Sequence, residues 1–209
     1  MKAVILLRRL LFLFFVLPVG SGWAQGSQDP EHWPCPQVFV PSVPAAVIWD
    51  GPAVEETSRQ WETIPEVNSL VSRLVAPGMK LADAEQLIAA FAGVQPPAVK
   101  DQMLTLLFAG VLEGLNADRS HLLSGIINYS RGQDQRAQQL GEVLDQIARL
   151  EEDRSDHAQQ KLAELRELVG IEQRLFDERE SSIQYLCTRP IAVEQRLGAL
   201  ARTIALYLD

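Results

Sequence analysis

The sequence predicts an all-α protein: a helical bundle with a long antiparallel, coiled-coil-like hairpin and an extended, Pro-rich N-terminal arm. Three observations carry this. Apolar residues recur at helical spacing from residue 53 to the C-terminus. No strand–helix–strand alternation and no repeat of fixed period interrupt them. Prolines crowd instead into one stretch before them, at Pro30, Pro34, Pro36, Pro41, Pro44 and Pro52.

That stretch, residues 25–52, has too many prolines for a helix to run through it. It is also too apolar for a free tail, since it holds Trp33, Val38, Phe39, Val40, Val43, Val47, Ile48 and Trp49. It reads as an arm lying in a groove of the helical body, or alternatively as an arm that docks on a partner.

Before the arm, Lys2, Arg8 and Arg9 bracket the start of an apolar run from Leu10 to Val19, and Gly20-Ser21-Gly22-Trp23-Ala24 follows. This is the pattern of a signal peptide, residues 1–24, cut after Ala24. The run is too short to span a bilayer comfortably, and no later segment is a candidate span. The expected mature chain is soluble and outside the cytoplasm, in a periplasm or secreted. Cleavage leaves 16 of the 19 basic residues against 27 acidic ones, a net charge of −11 before counting His. That surface repels nucleic acid and anionic lipid. The roughly 185 residues left suffice for one domain with a core.

The elements of that single helical domain, 53–209, follow in order. A first helix is expected within 53–75, interrupted near Pro65 and ended by Pro77-Gly78. A second spans about 81–92. A third, about 98–114, is apolar nearly all round and should be the central buried helix. Its Gly110 and Gly114 suit close crossing of a neighbour. Asn116 can cap a fourth, from 117 to about 150, with Leu122, Ile126, Tyr129, Leu140, Val143, Leu144, Ile147 and Leu150 on one face. Gly132 and Gly141 are possible kinks. After a polar turn at 151–155, Asp156 and Gln159 resemble a capping box. The fifth helix then presents Leu162, Leu165, Leu168, Val169, Leu175, Phe176, Ile183 and Leu186, and ends near Thr188. Pro190 begins a last helix, 190–207. The fourth and fifth form the hairpin, 117–187.

Two cysteines, Cys35 and Cys187, in an exported chain read as one disulfide. A turn centred at 153–154 places Arg136 opposite Glu172, an ion pair able to fix the hairpin register.

Chemistry is sparse. His32, His121 and His157 have no metal-ligand spacing, and His32 with Cys35 is a two-ligand fragment. No nucleophile elbow or phosphate loop is present. No catalytic residue, metal or cofactor is assigned. Two features suggest contacts. His121, Ser124, Asn128, Arg131 and Gln135 form a varied polar stripe ~140° from the apolar face of the fourth helix. Trp33, Trp49 and Trp61 are suited to anchoring an interface, or to pinning the arm. The reading is a non-enzymatic interaction protein — adaptor, scaffold or accessory subunit — whose partner is another exported or membrane-associated protein. The alternatives are a periplasmic helical chaperone or stress-response protein, and a carrier of a small ligand or metal.

Overall fold

The computed structural model describes residues 30–54 and 60–209. The expected signal peptide, 1–24, and the first residues of the arm lie outside them. The described residues contain helices and no strand, in the order α1 (Ala45–Ile48), α2 (Gln60–Thr63), α3 (Pro65–Val75), α4 (Leu81–Gly93), α5 (Lys100–Glu151) and α6 (Asp156–Ala205). None is long and apolar enough to cross a membrane.

Two expected boundaries vanish. The third and fourth predicted helices are one, α5, of 52 residues. Asn116 does not cap a helix; it sits within one, and its side chain is used elsewhere. Likewise the predicted break at Thr188–Pro190 is absent, and α6 runs 50 residues with Pro190 inside it. An interior proline costs a helix about 3 kcal/mol, because its ring crowds the preceding turn and its nitrogen donates nothing. Two local features offset this: Pro190 is buried, and the arm's Gln37 amide donates to the Cys187 carbonyl one turn before it, at 2.8 Å. Tertiary contacts here override a local stop signal.

Other boundaries follow the sequence. Pro65 opens α3 at its first turn, where the missing N–H costs nothing. Gly78, at φ 86°, makes the turn before α4. The hairpin turn centres at residues 152–155. Its cap differs from the expectation. Ser155, not Asp156, is the N-cap: its Oγ accepts from the Ala158 N–H at 3.2 Å. Gln159 reaches back to the Asp153 carbonyl at 3.1 Å. Within the arm, the prolines leave room for a single helical turn, α1, between Pro44 and Trp49.

The largest core lies at the base, where α3 and α4 pack on the N-terminal third of α5 and the C-terminal end of α6. Leu74, Ile88, Leu104, Leu107, Phe108, Val111, Leu197, Leu200 and Ile204 fill it. Most of residues 104–112 are buried, but one side, at Thr105 and Ala109, is only half-buried. The glycines there permit close approach: a Cβ on Gly110 would stand 2.5 Å from Val71 and 2.9 Å from Trp61, and one on Gly114 would stand 3.0 Å from Val75. Arg196 completes the base by donating to the Leu74 and Met79 carbonyls, each at 2.7 Å, at the end of α3, where carbonyls lack helical partners.

Above the base, α5 and α6 pair as the hairpin, with the arm laid against its lower half. Their seam has an apolar waist (Ile126, Ile183, Cys35, Cys187) and an apolar tip (Ile147, Leu162, Leu165). Four expected seam residues stand elsewhere. Leu123 rather than Leu122 is fully buried, and Leu144, Leu168 and Leu175 are 48%, 43% and 40% exposed. Between waist and tip the seam is polar. Tyr129 donates to the Arg179 carbonyl at 3.1 Å, and Gln133 to the Phe176 carbonyl at 3.2 Å. Arg136 meets Glu172 at 3.7 Å, as the register predicted.

Candidate interaction surface

The arm descends α5 from the middle of the hairpin to the base, and a side chain grips it at each step. At its upper end His32, whose φ of 67° is unusual for a residue with a Cβ, places Nδ1 2.6 Å from Asp134 Oδ2. Next, Cys35 is bonded to Cys187 with Cα atoms 5.5 Å apart. This is the expected pairing. Trp33 donates to the Gln37 carbonyl at 2.8 Å and meets Phe39 edge-on, centroids 5.1 Å apart. Arg119 then donates to the Val40 carbonyl. Asn116 donates to the Val43 carbonyl at 3.0 Å and accepts from the Val43 N–H at 2.8 Å. At the foot, Trp49 stacks on Phe108, centroids 4.1 Å apart and planes within 4° of parallel. Its indole N–H is satisfied by the Pro52 carbonyl at 2.8 Å.

The tryptophans therefore serve the fold. Trp49 is 8% exposed and belongs to the base core. Trp33 is half-buried and packs on the disulfide cluster. Trp61 packs on the core and donates to Glu113 at 3.1 Å. Of the residues considered for partner contact, Trp49 has no surface to offer.

The polar stripe on α5 has a different fate. His121, Ser124, Asn128, Arg131 and Gln135 are all exposed, and the arm passes without covering them. Arg131 donates to Asn128 one turn away at 3.0 Å, which holds that side chain in place. The stripe and the tryptophans do not converge into one site. Among the described residues no three His, Cys, Asp or Glu side chains gather as metal ligands.

Two features escaped the sequence. The first is Arg119, on the seam side of α5, 3% exposed, with Nε donating to Glu194 Oε1 at 2.7 Å. One guanidinium thus ties α5 to both α6 and the arm. Arginine suits this because its planar fork offers donors in several directions at once. A charge amid apolar seam positions is the signal that marks it. The second is a short apolar row on α6, Leu168, Ile171 and Leu175, each about two-fifths exposed. These residues fit the helical period but lie beside the seam, and spacing alone merged two of them into it. A groove of about 250 Å³ runs next to the row, lined by Leu140, Val143, Leu168, Val169 and Phe176, with Arg136 and Glu172 at its edge.

At the tip, Asp153 accepts from the Ser155 backbone N–H at 2.8 Å. That bond, with a further contribution from the Ser155 side chain, holds its carboxyl below the usual value of 3.8.

The disulfide fits an exported chain. No protein-family model matches the sequence, and no curated protein or solved structure shows significant similarity to it.

Proposed function

We propose that this is an exported, periplasmic, non-enzymatic interaction protein, an adaptor, scaffold or accessory subunit that presents its helical hairpin to another exported or membrane-associated protein. The observation that carries this reading is the row Leu168, Ile171, Leu175. Each remains about two-fifths exposed after the hairpin has closed its own seam. Contiguous apolar residues left in water beside a groove are the usual mark of a protein contact. The varied polar stripe on α5, with Asn128 and Arg131 at its centre, offers a second, hydrogen-bonding face. The arm supports the same reading in another way, because its covalent tie keeps the hairpin in place at its waist while the tip is left uncovered.

Site-specific photo-crosslinking in the native envelope tests this. A photoreactive residue at Leu168 or at Asn128 is expected to yield an adduct of discrete mass. The same residue at exposed Glu85 on α4 is expected to yield none. Equal labelling at all three positions, or none at either hairpin position, would overturn the reading.

A further inference from the structure

The apolar row on α6 is short, and its two ends carry opposite charges, Glu167 at one and Arg174 at the other. We propose that it seats the same row of a second copy of this chain, antiparallel, about a two-fold axis passing beside Ile171. This rests on the reading of the hairpin as an interaction surface and names one occupant for it.

The argument begins with spacing. Leu168, Ile171 and Leu175 follow one another at intervals of three and four, the spacing that keeps residues in line along one side of a helix. An antiparallel copy with its axis between Ile171 and Glu172 places Leu168 against Leu175 and Leu175 against Leu168, with the two Ile171 side chains just beside the axis. A row matched to its own reverse is what an isologous contact requires.

Charge supports the same register. Glu167 and Arg174 border the row on one side of α6. The same reversal brings Glu167 of one copy within two residues, about 3 Å of helix rise, of Arg174 of the other, an offset these long side chains span, and the symmetry repeats the pair. Farther out the antiparallel register brings Glu164 toward Glu178. Lys161, 3.1 Å from Glu164, and the neighbouring Arg179 offset that like pair. A partner with its own opposite charges could satisfy one of these positions; the chain itself supplies both.

The groove supplies depth. Its walls, Leu140, Val143, Val169 and Phe176, continue the row toward α5, so a second helix laid on α6 finds an apolar trough beside it. Such contacts have a four-helix character, with two hairpins side by side. The row is only three residues long, so the contact area lies at the low end for specific interfaces.

Analytical ultracentrifugation of the purified protein, from about 1 to 100 µM, tests this. The expected result is a monomer–dimer equilibrium within that range. Ile171→Glu is expected to weaken it at least ~10-fold, through a desolvated charge beside the axis. Leu144→Glu, on the opposite flank of the seam, is expected to leave it within about twofold. Glu167→Arg and Arg174→Glu should each weaken the dimer, and the double swap should restore it. Helical circular dichroism of each variant verifies that it is folded. A monomer throughout the range, or a dimer insensitive to Ile171→Glu and to the charge reversals, overturns the proposal. The two readings fail separately. A monomer that still crosslinks a different envelope protein at Leu168 removes only the second copy. A dimer lost on Ile171→Glu, with no other protein captured from any hairpin position, supports self-association and removes the heterologous partner.

Discussion

Asn116 holds both backbone polar groups of Val43, its amide donating to the carbonyl at 3.0 Å and its oxygen accepting from the N–H at 2.8 Å. An amide side chain here imitates the edge of a strand and gives one arm residue the pairing it would find in a sheet. Asn116→Asp keeps size and shape but cannot donate, and it sets a carboxylate against a carbonyl. A loss of about 1–3 kcal/mol is expected, with faster hydrogen exchange at Val43. Urea denaturation and exchange measured by mass spectrometry check the two together.

Loss of the disulfide is expected to act on the arm first. The bond closes a loop of sequence separation 152, for which chain entropy gives roughly 5 kcal/mol as an upper value. Cys35→Ser should lower the unfolding midpoint and open Trp33 to acrylamide. Far-ultraviolet circular dichroism should persist, because the base core does not depend on the bond. Cooperative loss of all helix in the variant at room temperature would contradict this order of events.

Removing Arg119 is expected to unfasten three segments. Arg119→Ala leaves the Val40 carbonyl and the Glu194 carboxylate without their shared donor. Glu194 is 39% exposed and turns to water, so screening limits the loss to about 2–3 kcal/mol. Arg119→Lys should recover less than half, since an ammonium lacks the fork that reaches both acceptors. Thermal melts of the three proteins settle the comparison.

Gly110→Ala tests the close crossing of α3 over α5. Alanine favours the helix by up to ~1 kcal/mol over glycine. Its methyl would meet Val71 at 2.5 Å and Trp61 at 2.9 Å, and overpacking costs about 1–3 kcal/mol. The steric effect wins, because the Val71 side chain is short and stiff. Net destabilisation is expected, with a shift in Trp61 fluorescence. A variant more stable than the parent would show that the helices part freely.

The hairpin tip should loosen in acid. Asp153 is ionised and hydrogen-bonded in the fold, and its folded pKa lies below its ordinary value of 3.8. Its contribution is therefore present above pH 3.8 and is lost as pH falls through the lower, folded value. Amide exchange at residues 152–156, corrected for intrinsic rates, should rise across that acid window in the parent. In Asp153→Asn the same amides should show no such step.

Much of this architecture was legible because period and composition are local signals. The helical class, the mostly buried 104–112 segment, the turn near 153 and the Arg136–Glu172 register follow from spacing, and the disulfide follows from there being two cysteines in a chain expected to be exported. What was misread depended on distant partners. Pro190 looks like a stop because local rules do not include Gln37 arriving from the arm. Asn116 looks like a cap because its true partner, Val43, lies 73 residues away. Leu168 and Leu175 were assigned to the seam because a broad apolar face does not declare where one contact ends and another begins. The polar stripe lies in solvent, as its place opposite the apolar face predicts, and the arm does not cover it.

The uninterrupted run of α6 through Cys187 has a mechanical consequence. From that cysteine, helix extends roughly 45 Å toward the tip and roughly 25 Å toward the base, at 1.5 Å per residue. A stiff rod fastened at an intermediate point is a lever, and the disulfide is its fulcrum. A sideways load on the tip is levered about that point toward the packed side chains around Leu197 and Leu200, on an arm a little over half as long. Pro190, the one break in the rod's hydrogen-bond ladder, lies between the fulcrum and the base, so it is where such a load bends the helix.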